Sequence, residues 1–122
     1  MFGIKKTTID KGKAGEDIAA AFLNARGYDI VERNHRNRMG EIDLILKRKG
    51  VLIFVEVKTR TSTAYGLPQE AVTGIKQEKI RKTALAYMQD NGLEDAEIRF
   101  DVVAIMLENG SGSRIQHIPG AF

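Results

Sequence analysis

The order of apolar and polar positions predicts a helix followed by a sheet. Over residues 10–26 the apolar side chains recur at helical spacing, with Asp10 as a candidate N-cap and Gly27 as the stop signal. Residues 28–33 have the short, β-branched character of a strand. Residues 34–38 are polar and basic, so we expect them to form a connection into the next strand.

Two apolar runs, at residues 40–46 and 51–58, predict the central hairpin of the sheet. The dipeptide Lys-Gly at 49–50 is expected to form its two-residue turn. This turn sets Asp43 opposite Glu56. The same register sets Glu41 opposite Lys58.

Charged residues therefore interrupt both strands at positions where a core would require apolar side chains. Directly opposed residues of two strands have Cβ atoms about 4.5–5.5 Å apart. Two carboxylates at that distance, such as Asp43 and Glu56, repel each other unless a proton, a basic group or a cation lies between them. Mg²⁺ or Mn²⁺ is the natural cation, because hard divalent ions prefer oxygen ligands.

The second half of the chain predicts one further helix and one long strand. Thr73 can cap a helix that ends near residue 90, before an Asn-Gly pair. Residues 96–107 first alternate and then become nearly all apolar, which is typical of a strand buried on both faces. Asp101 lies inside this strand, and we expect it to pair near Arg99 or with a backbone donor.

This order of elements favours helices on both faces of a mixed sheet. We therefore expect an α/β fold, a three-layer α/β/α sandwich whose central mixed sheet has four to five strands. All 122 residues are expected to form one domain. Residues 1–9 are expected to be a mobile lead-in, and residues 109–122 a turn with an edge strand at 114–118 or a tail.

Composition narrows the chemistry and the location. The chain has no cysteine and two histidines, which excludes thiol catalysis, disulfides and cysteine-based zinc sites. The polar N-terminus lacks the apolar core of a signal peptide, and no run approaches the roughly 20 apolar residues of a membrane span. We therefore expect a cytoplasmic protein with no membrane partner.

Positive charge is concentrated around the hairpin. Residues 33–60 contain eight Lys/Arg against three Asp/Glu, and residues 76–82 contain four against one, whereas residues 87–109 contain one against six. This asymmetry favours a polyanionic partner, with ordinary surface charge as the alternative explanation. The residues expected to contact a nucleic-acid backbone are His35, Arg36, Arg38, Arg60, Lys76, Lys79 and Lys82.

Taken together, the charged positions resemble a known nuclease pattern. An acid followed after twelve residues by Glu-x-Lys is similar to the active-site motif of the PD-(D/E)XK, or restriction-endonuclease-like, superfamily. Four segments look closer still to the YraN-like family of predicted endonucleases, which is similar to archaeal Holliday-junction resolvases. These segments are Gly-Glu-Ile-Asp-Leu-Ile at 40–45, Phe-Val-Glu-Val-Lys-Thr-Arg at 54–60, Gly-x-Pro-x-Glu-Ala-Val at 66–72 and Arg-Phe-Asp-Val-Val-Ala-Ile at 99–105.

The resemblance implies a site of four charged residues. Asp43 and Glu56 match the two metal-binding carboxylates, and Lys58 matches the catalytic lysine. Glu16 matches the helix glutamate that resolvase-like members add to the metal site; without the resemblance it is explained as a first-turn acid favoured by the helix dipole. Ile42 stands where the superfamily motif has proline.

Three functions stay open on the sequence alone. The resemblance implies an endonuclease that uses Mg²⁺ or Mn²⁺ to hydrolyse DNA, with junction or branched DNA as the implied substrate. The alternative is a nucleic-acid-binding module on the same fold that does not cleave. A third hypothesis treats the acids and Lys58 as a structural ion-pair cluster. A homodimer is one expected assembly, because symmetric cutting needs two sites.

Overall fold

The computed structural model describes residues 11–60, 72–108 and 112–122. These residues form α1 (Lys11–Ala25), β1 (Asp29–Asn37), β2 (Gly40–Arg48), β3 (Val51–Arg60), α2 (Gly74–Asp90), β4 (Glu97–Glu108) and β5 (Gly112–Ile118). The order confirms the predicted succession of a helix, three strands, a helix and one or two strands, of which the structure has two. The candidate cap Asp10 and the lead-in at 1–9 lie outside the described residues.

The five strands form one mixed sheet in the order β1-β2-β3-β4-β5. β3 and β4 are parallel, and the other neighbouring strands are antiparallel. Antiparallel neighbours can be joined by tight turns, whereas a parallel pair needs a long crossover. The crossover from β3 to β4 contains α2, so the start of this helix lies in the connection that follows the Glu-x-Lys strand.

One helix packs on each face of the sheet. On one face, α1 residues Ala19, Ala20 and Leu23 pack with Ile53 and Val103. On the other face lie the α2 residues Ile80, Ala84, Tyr87 and Met88 with the sheet residues Phe54 and Phe100. The sheet therefore lies between two helices, as expected. Neither of these helices combines the length and the apolar character that a membrane crossing requires.

β4 is buried on both faces, as its apolar run predicts, and it carries one buried charge. Residues 102–105 are all buried, and Asp101 is fully buried beside them. Arg99 donates two hydrogen bonds of 2.8 Å to the Asp101 carboxylate. The His117 Nε2 atom lies 2.7 Å from it, and the Gly120 backbone N–H donates at 3.0 Å. Asp101 therefore ties the end of the chain to β4, which confirms the predicted pairing.

The central hairpin has the predicted turn. Lys49 and Gly50 have φ angles of 50° and 81°, and two positive φ angles are the mark of the type I′ turn that suits twisted strands. The cross-strand pairs run from Arg48↔Val51 to Leu44↔Val55 without a shift. The predicted register is confirmed over this ladder.

The first strand is longer than the sequence pattern indicates. β1 continues to residue 37, so the predicted connection at 34–38 is wrong: only Arg38 and Met39 form the turn into β2. β1 is an edge strand, and edge strands accommodate polar and charged side chains that would be excluded from the middle of a sheet. The polar end of β1 therefore resembles a loop in composition, which explains the wrong prediction.

β1 reverses its facing direction at Asn34, which has a left-handed φ of 53°. Residues two apart in a regular strand share a face. Here Arg33 bonds to Glu16 of α1, whereas His35 packs against Tyr87 of α2. The reversal therefore gives β1 contacts with both helices.

β2 reverses in the same way, opposite that point. Leu44 packs in the α1 cluster and Ile42 in the α2 cluster. The flanking pairs Arg33↔Leu44 and His35↔Ile42 place Asn34 opposite Asp43, so Asp43 lies at the reversal itself.

The close approach of α1 to β3 depends on Gly15. A Cβ atom at Gly15 would overlap the Thr59 hydroxyl and lie 3.1 Å from Thr59 Cβ. We expect Gly15→Ala to lower the free energy of unfolding by about 1–3 kcal/mol, the usual range for overpacking. Urea denaturation followed by circular dichroism measures the change.

Gly74, at the start of α2, is the matched control because a Cβ there meets nothing within 4 Å. Gly74→Ala should be neutral or stabilising by up to about 1 kcal/mol. Thr59→Ala should restore part of the stability lost in Gly15→Ala. Equal effects of the two glycine substitutions would contradict the close-approach explanation.

Asp101 should make a pH-dependent contribution to stability. Burial alone would raise the pKa of Asp101, but the hydrogen bonds from Arg99 and His117 outweigh it and hold this pKa below 3.8. A lowered folded-state pKa stabilises the protein above the unfolded value and loses that effect as the pH falls through the folded value. We expect Asp101→Asn to cost about 2–3 kcal/mol at pH 7, since hydrogen bonds to a charged group are lost.

The measurement is urea denaturation of both proteins between pH 7 and pH 3. The gap in unfolding free energy should be constant at neutral pH and should narrow as the pH falls below about 4, because Asp101 of the unfolded chain then binds a proton more readily than Asp101 of the folded protein. A gap that does not depend on pH would contradict this account.

Candidate functional site

The hairpin ladder ends at the candidate site. The last paired residues are Leu44 and Val55, and beyond them the strands are joined through a side chain. The Val57 backbone N–H donates a 2.8 Å hydrogen bond to Asp43 Oδ2. The Asp43 carboxylate therefore lies between β2 and β3, where a backbone carbonyl would otherwise accept.

Asp43 and Glu56 form a pair of neighbouring carboxyl groups, as predicted, although the paired ladder stops one residue short of the predicted cross-strand pair Asp43–Glu56. Burial raises the pKa of Asp43, and the charge of Glu56 raises it further, to about 7; the bond from Val57 acts in the opposite direction. The more distant Glu16 carboxylate also raises it. Asp43 thus retains a proton over much of the range in which an ordinary aspartate is ionised.

Two lysines converge on Glu56, whose side chain is 8% exposed. Lys76 Nζ lies 2.9 Å from Glu56 Oε2, and Lys58 Nζ lies 3.5 Å from the same oxygen. The hydrogen bond to Glu56 is the main cause that raises the pKa of Lys76. A buried carboxylate is costly unless it is paired, and here it has two cationic neighbours.

Lys76 reaches the site because α2 begins beside it. The Thr73 hydroxyl caps α2 by accepting the Lys76 backbone N–H at 3.3 Å, as the sequence predicts. Lysines in a first turn oppose the helix dipole. The contact with Glu56 compensates for this position.

Glu16 approaches the site from α1 and is held by β1. Arg33 donates bonds of 3.0 Å and 2.8 Å to Glu16 Oε1, and Asn34 donates a third of 2.9 Å. Arg33 also binds Asp17 on the surface of the same helix. Glu16 is therefore a buried carboxylate whose orientation is fixed by two residues next to the strand reversal.

Two clefts open at Asp43, and we name them by the helix beside each. The α2-side cleft, about 620 Å³, contains Asp43, Glu56, Arg36, Arg38, Lys76 and Lys79 among its lining residues. The α1-side cleft, about 540 Å³, is lined by Lys13, Glu16, Asn34, Asp43, Val57, Lys58 and Thr59. The four predicted catalytic residues are therefore divided between two clefts that share Asp43: Glu56 lines the α2-side cleft, and Glu16 and Lys58 line the α1-side cleft.

The donor set fits a hard divalent cation. Within residues 11–60, 72–108 and 112–122, no group of three or more acidic or histidine side chains is already gathered in a metal-ligand arrangement. Mg²⁺ nevertheless usually takes one or two carboxylates and completes its shell with water and phosphate oxygens. Asp43 and Glu56 supply that pair; burial is the main cause that raises the pKa of Asp43, and the repulsion from Glu56, which a cation would relieve, is the second.

The contacts of Glu41, Arg36 and Arg38 differ from the expectation. Glu41 does not continue the ladder towards Lys58; it accepts bonds of 3.0 Å and 2.7 Å from Arg36 across the β1-β2 pair. Arg38 lies 3.5 Å from Asp90 at the end of α2. Both arginines still line the α2-side cleft.

The other predicted nucleic-acid contacts are placed less uniformly. Lys79 lines the α2-side cleft, whereas Lys82 is exposed one turn further along α2. Arg60 ends β3 opposite Met106. The His35 side chain is only 14% exposed, and its ring nitrogens lie 2.8 Å from Glu32 and 3.0 Å from Asn37, so both nitrogens already have partners within the chain.

Sequence reasoning missed the residues that hold the site in place. Arg33 and Asn34 orient Glu16, and the contact of Lys76 with Glu56 joins two segments twenty residues apart. The large apolar side chain of Ile75, 87% exposed, also lies at the α2-side cleft. The only signal for Lys76 is its unfavourable position at a helix start.

Comparison with known proteins gives the family. The model of the Uncharacterised protein family UPF0102 matches residues 15–105. The chain belongs to this family, which is the YraN-like group that its motifs resemble. It is 54% identical over 112 residues to a UPF0102 protein of Trichlorobacter lovleyi, covering 91% of this chain and 88% of the relative. It is 49% identical over 111 residues to a UPF0102 protein of Rhodococcus jostii, covering 91% and 94%.

The carboxyl pair makes a testable electrostatic prediction. In the protein freed of metal by a chelator, Glu56→Gln should lower the pKa of Asp43 below about 7, because a neighbouring negative charge is removed. The pKa should stay above the ordinary aspartate value of 3.8, because burial is the larger cause. Carbon-13 NMR titration of the carboxyl groups measures it.

Glu41→Gln is the matched control, since Glu41 lies two residues from Asp43 but bonds to Arg36 and is 61% exposed. It should leave the pKa of Asp43 unchanged. An Asp43 that titrates near 3.8 in the unmodified protein would contradict the buried pair.

Proposed function

We propose that the protein is a divalent-cation-dependent endonuclease that hydrolyses phosphodiester bonds of DNA. The observation that carries the proposal is the half-buried Asp43 beside the buried Glu56, with Lys58 at 3.5 Å, where the hairpin ladder ends. A purely structural role would leave the clefts and their basic lining without a purpose. Both clefts reach Asp43, so a phosphodiester backbone could approach the carboxyl pair through either of them.

The residues have separate tasks in this proposal. Asp43 and Glu56 would hold Mg²⁺ or Mn²⁺, which would supply an activated water and neutralise charge on the scissile phosphate. Lys58 would orient the attacking water or stabilise the developing negative charge. Glu16, which is fixed by Arg33 and lines the α1-side cleft with Lys58, would bind the cation directly or through a water molecule.

The α2-side cleft is the proposed path of the nucleic-acid backbone. Arg36, Arg38 and Lys79 line it and can exchange their surface contacts for phosphate oxygens, which accept the paired bonds that arginine offers. Contacts to phosphates give affinity without sequence readout, so binding should weaken steeply with salt. We propose DNA with a branch or junction as the preferred form, on the similarity of the motifs to junction resolvases.

We also propose that the fold is restriction-endonuclease-like. A mixed sheet between two helices, with the acids and Lys58 on adjacent antiparallel strands, supports the restriction-endonuclease-like fold. The motif spacing supports the same assignment.

Cleavage of labelled duplex, flap and four-way-junction DNA with Mg²⁺ or Mn²⁺ tests the function. We expect cutting that a chelator abolishes, with Glu56→Ala and Lys58→Ala each lowering the rate by about 100-fold or more. Gel electrophoresis of the products gives the rates and the preferred substrate. Circular dichroism of each variant verifies that it is folded.

Lys47→Ala and Glu94→Ala are controls of matched charge at exposed positions away from the clefts. Both should cut at the unmodified rate. Cutting that survives Glu56→Ala or Lys58→Ala would disprove the site. Tight binding with no cutting under any cation would favour the binding module.

A further inference from the structure

Two lysines contact Glu56, and their environments differ. Lys58 lies on the same strand as Glu56, with a side chain that is 23% exposed. Lys76 comes from the first turn of α2, makes the shorter contact of 2.9 Å, and is 46% exposed. The tighter partner is therefore also the more accessible one.

Lys76 would compete with a metal ion for one oxygen of Glu56. A Mg²⁺ ion lies about 2.0–2.1 Å from a carboxylate oxygen. The Lys76 ammonium already lies 2.9 Å from Glu56 Oε2, so a divalent ion on that oxygen would meet a positive charge at close range. Lys76 must move before Glu56 can act as a ligand through this oxygen.

The α2-side cleft offers Lys76 a second position. Lys76 and Lys79 both line this cleft, and residues three apart on a helix lie on one face. The lysine stem has four carbons and rotates freely, so the ammonium can move into the cleft without movement of the helix. A phosphate in the cleft would give the displaced ammonium a partner.

We propose that Lys76 is an exchangeable counter-ion that couples nucleic-acid binding to cation binding at the proposed nuclease site. In the free protein Lys76 neutralises Glu56. When a phosphate backbone enters the α2-side cleft, Lys76 transfers to a phosphate oxygen, and Glu56 becomes available to the divalent cation. Lys76 is a positioning residue in this scheme; it acts through Glu56 and not on the reacting atoms.

The scheme requires reciprocal coupling. If DNA makes the cation bind more tightly by some factor, the cation must make DNA bind more tightly by the same factor. Couplings of this kind are usually at least about fivefold. Any basic residue in the cleft would strengthen DNA binding, and a cation that contacts a phosphate oxygen would itself couple the two ligands. The part of the coupling that disappears without Lys76 is the part produced by its exchange between Glu56 and phosphate.

The first experiment measures Mn²⁺ binding to the free protein by calorimetry and by the electron paramagnetic resonance of unbound Mn²⁺. We expect Lys76→Met to bind Mn²⁺ at least about fivefold more tightly than the unmodified protein, because the competing ammonium is absent. Lys76→Arg, which keeps the charge, should stay close to the unmodified protein. Lys79→Met removes the same charge from the same cleft but not from Glu56, and should also leave Mn²⁺ affinity unchanged.

The second experiment measures coupling by fluorescence anisotropy of labelled junction DNA, with and without Ca²⁺ as the oxygen-ligand cation. A gel after each titration verifies that the DNA is intact. The unmodified protein should bind DNA at least about fivefold more tightly with Ca²⁺, and this gain should be clearly smaller in Lys76→Met. Lys79→Met should weaken DNA binding in both conditions and keep the gain.

The result that overturns the proposal is a Lys76→Met protein whose Mn²⁺ affinity is unchanged or weaker. An equal tightening in Lys79→Met would also overturn it, because the effect would then be general electrostatics. Neither experiment measures cleavage. A coupling that depends on Lys76, found without cleavage, would therefore reject the proposed nuclease activity and keep the role of Lys76. Cleavage without a Lys76-dependent coupling would reject the role of Lys76 and keep the proposed nuclease activity.

Discussion

The structure depends on a constraint at the open end of its central hairpin: two carboxyl groups must share a partly buried space. Backbone hydrogen bonds hold β2 and β3 together up to Leu44 and Val55, and from there the Asp43 side chain accepts the next N–H. This substitution keeps the strands together while it separates their backbones. The charged residues thus occupy the place where the ladder ends, and the apolar core of the hairpin is left intact.

Two of the three acids at the site have a cationic partner within the described part of the chain. Glu56 is paired with Lys76 from α2, and Glu16 with Arg33 from β1. These pairs come from different elements, so the helices on both faces of the sheet are fastened to the site through charge as well as through apolar packing. Since burial makes an unpaired carboxylate costly, the pairs limit the loss of stability that the buried acids impose.

The sequence predicts the hairpin well because its signals are local. The turn at Lys49 and Gly50, the two apolar runs and strand alternation fix the register without knowledge of the rest of the chain. The sequence does not predict the reversal at Asn34, because a positive φ angle outside glycine is a property of one residue in its context. It also does not predict the contact of Lys76 with Glu56, because that distance is set by how α2 packs across the sheet.

The repulsion between two neighbouring carboxylates can be relieved by a proton, a basic group or a cation, and the first two are present at this site. Asp43 retains a proton to about pH 7, and Glu56 is bound to the Lys76 ammonium. A divalent cation that binds between them must displace both. Its net affinity is therefore the difference between its attraction to the two carboxylates and the free energy of the partners it replaces. A site built in this way holds its acids in place without a metal, and a strongly charged ion would displace these partners more readily than a weakly charged one.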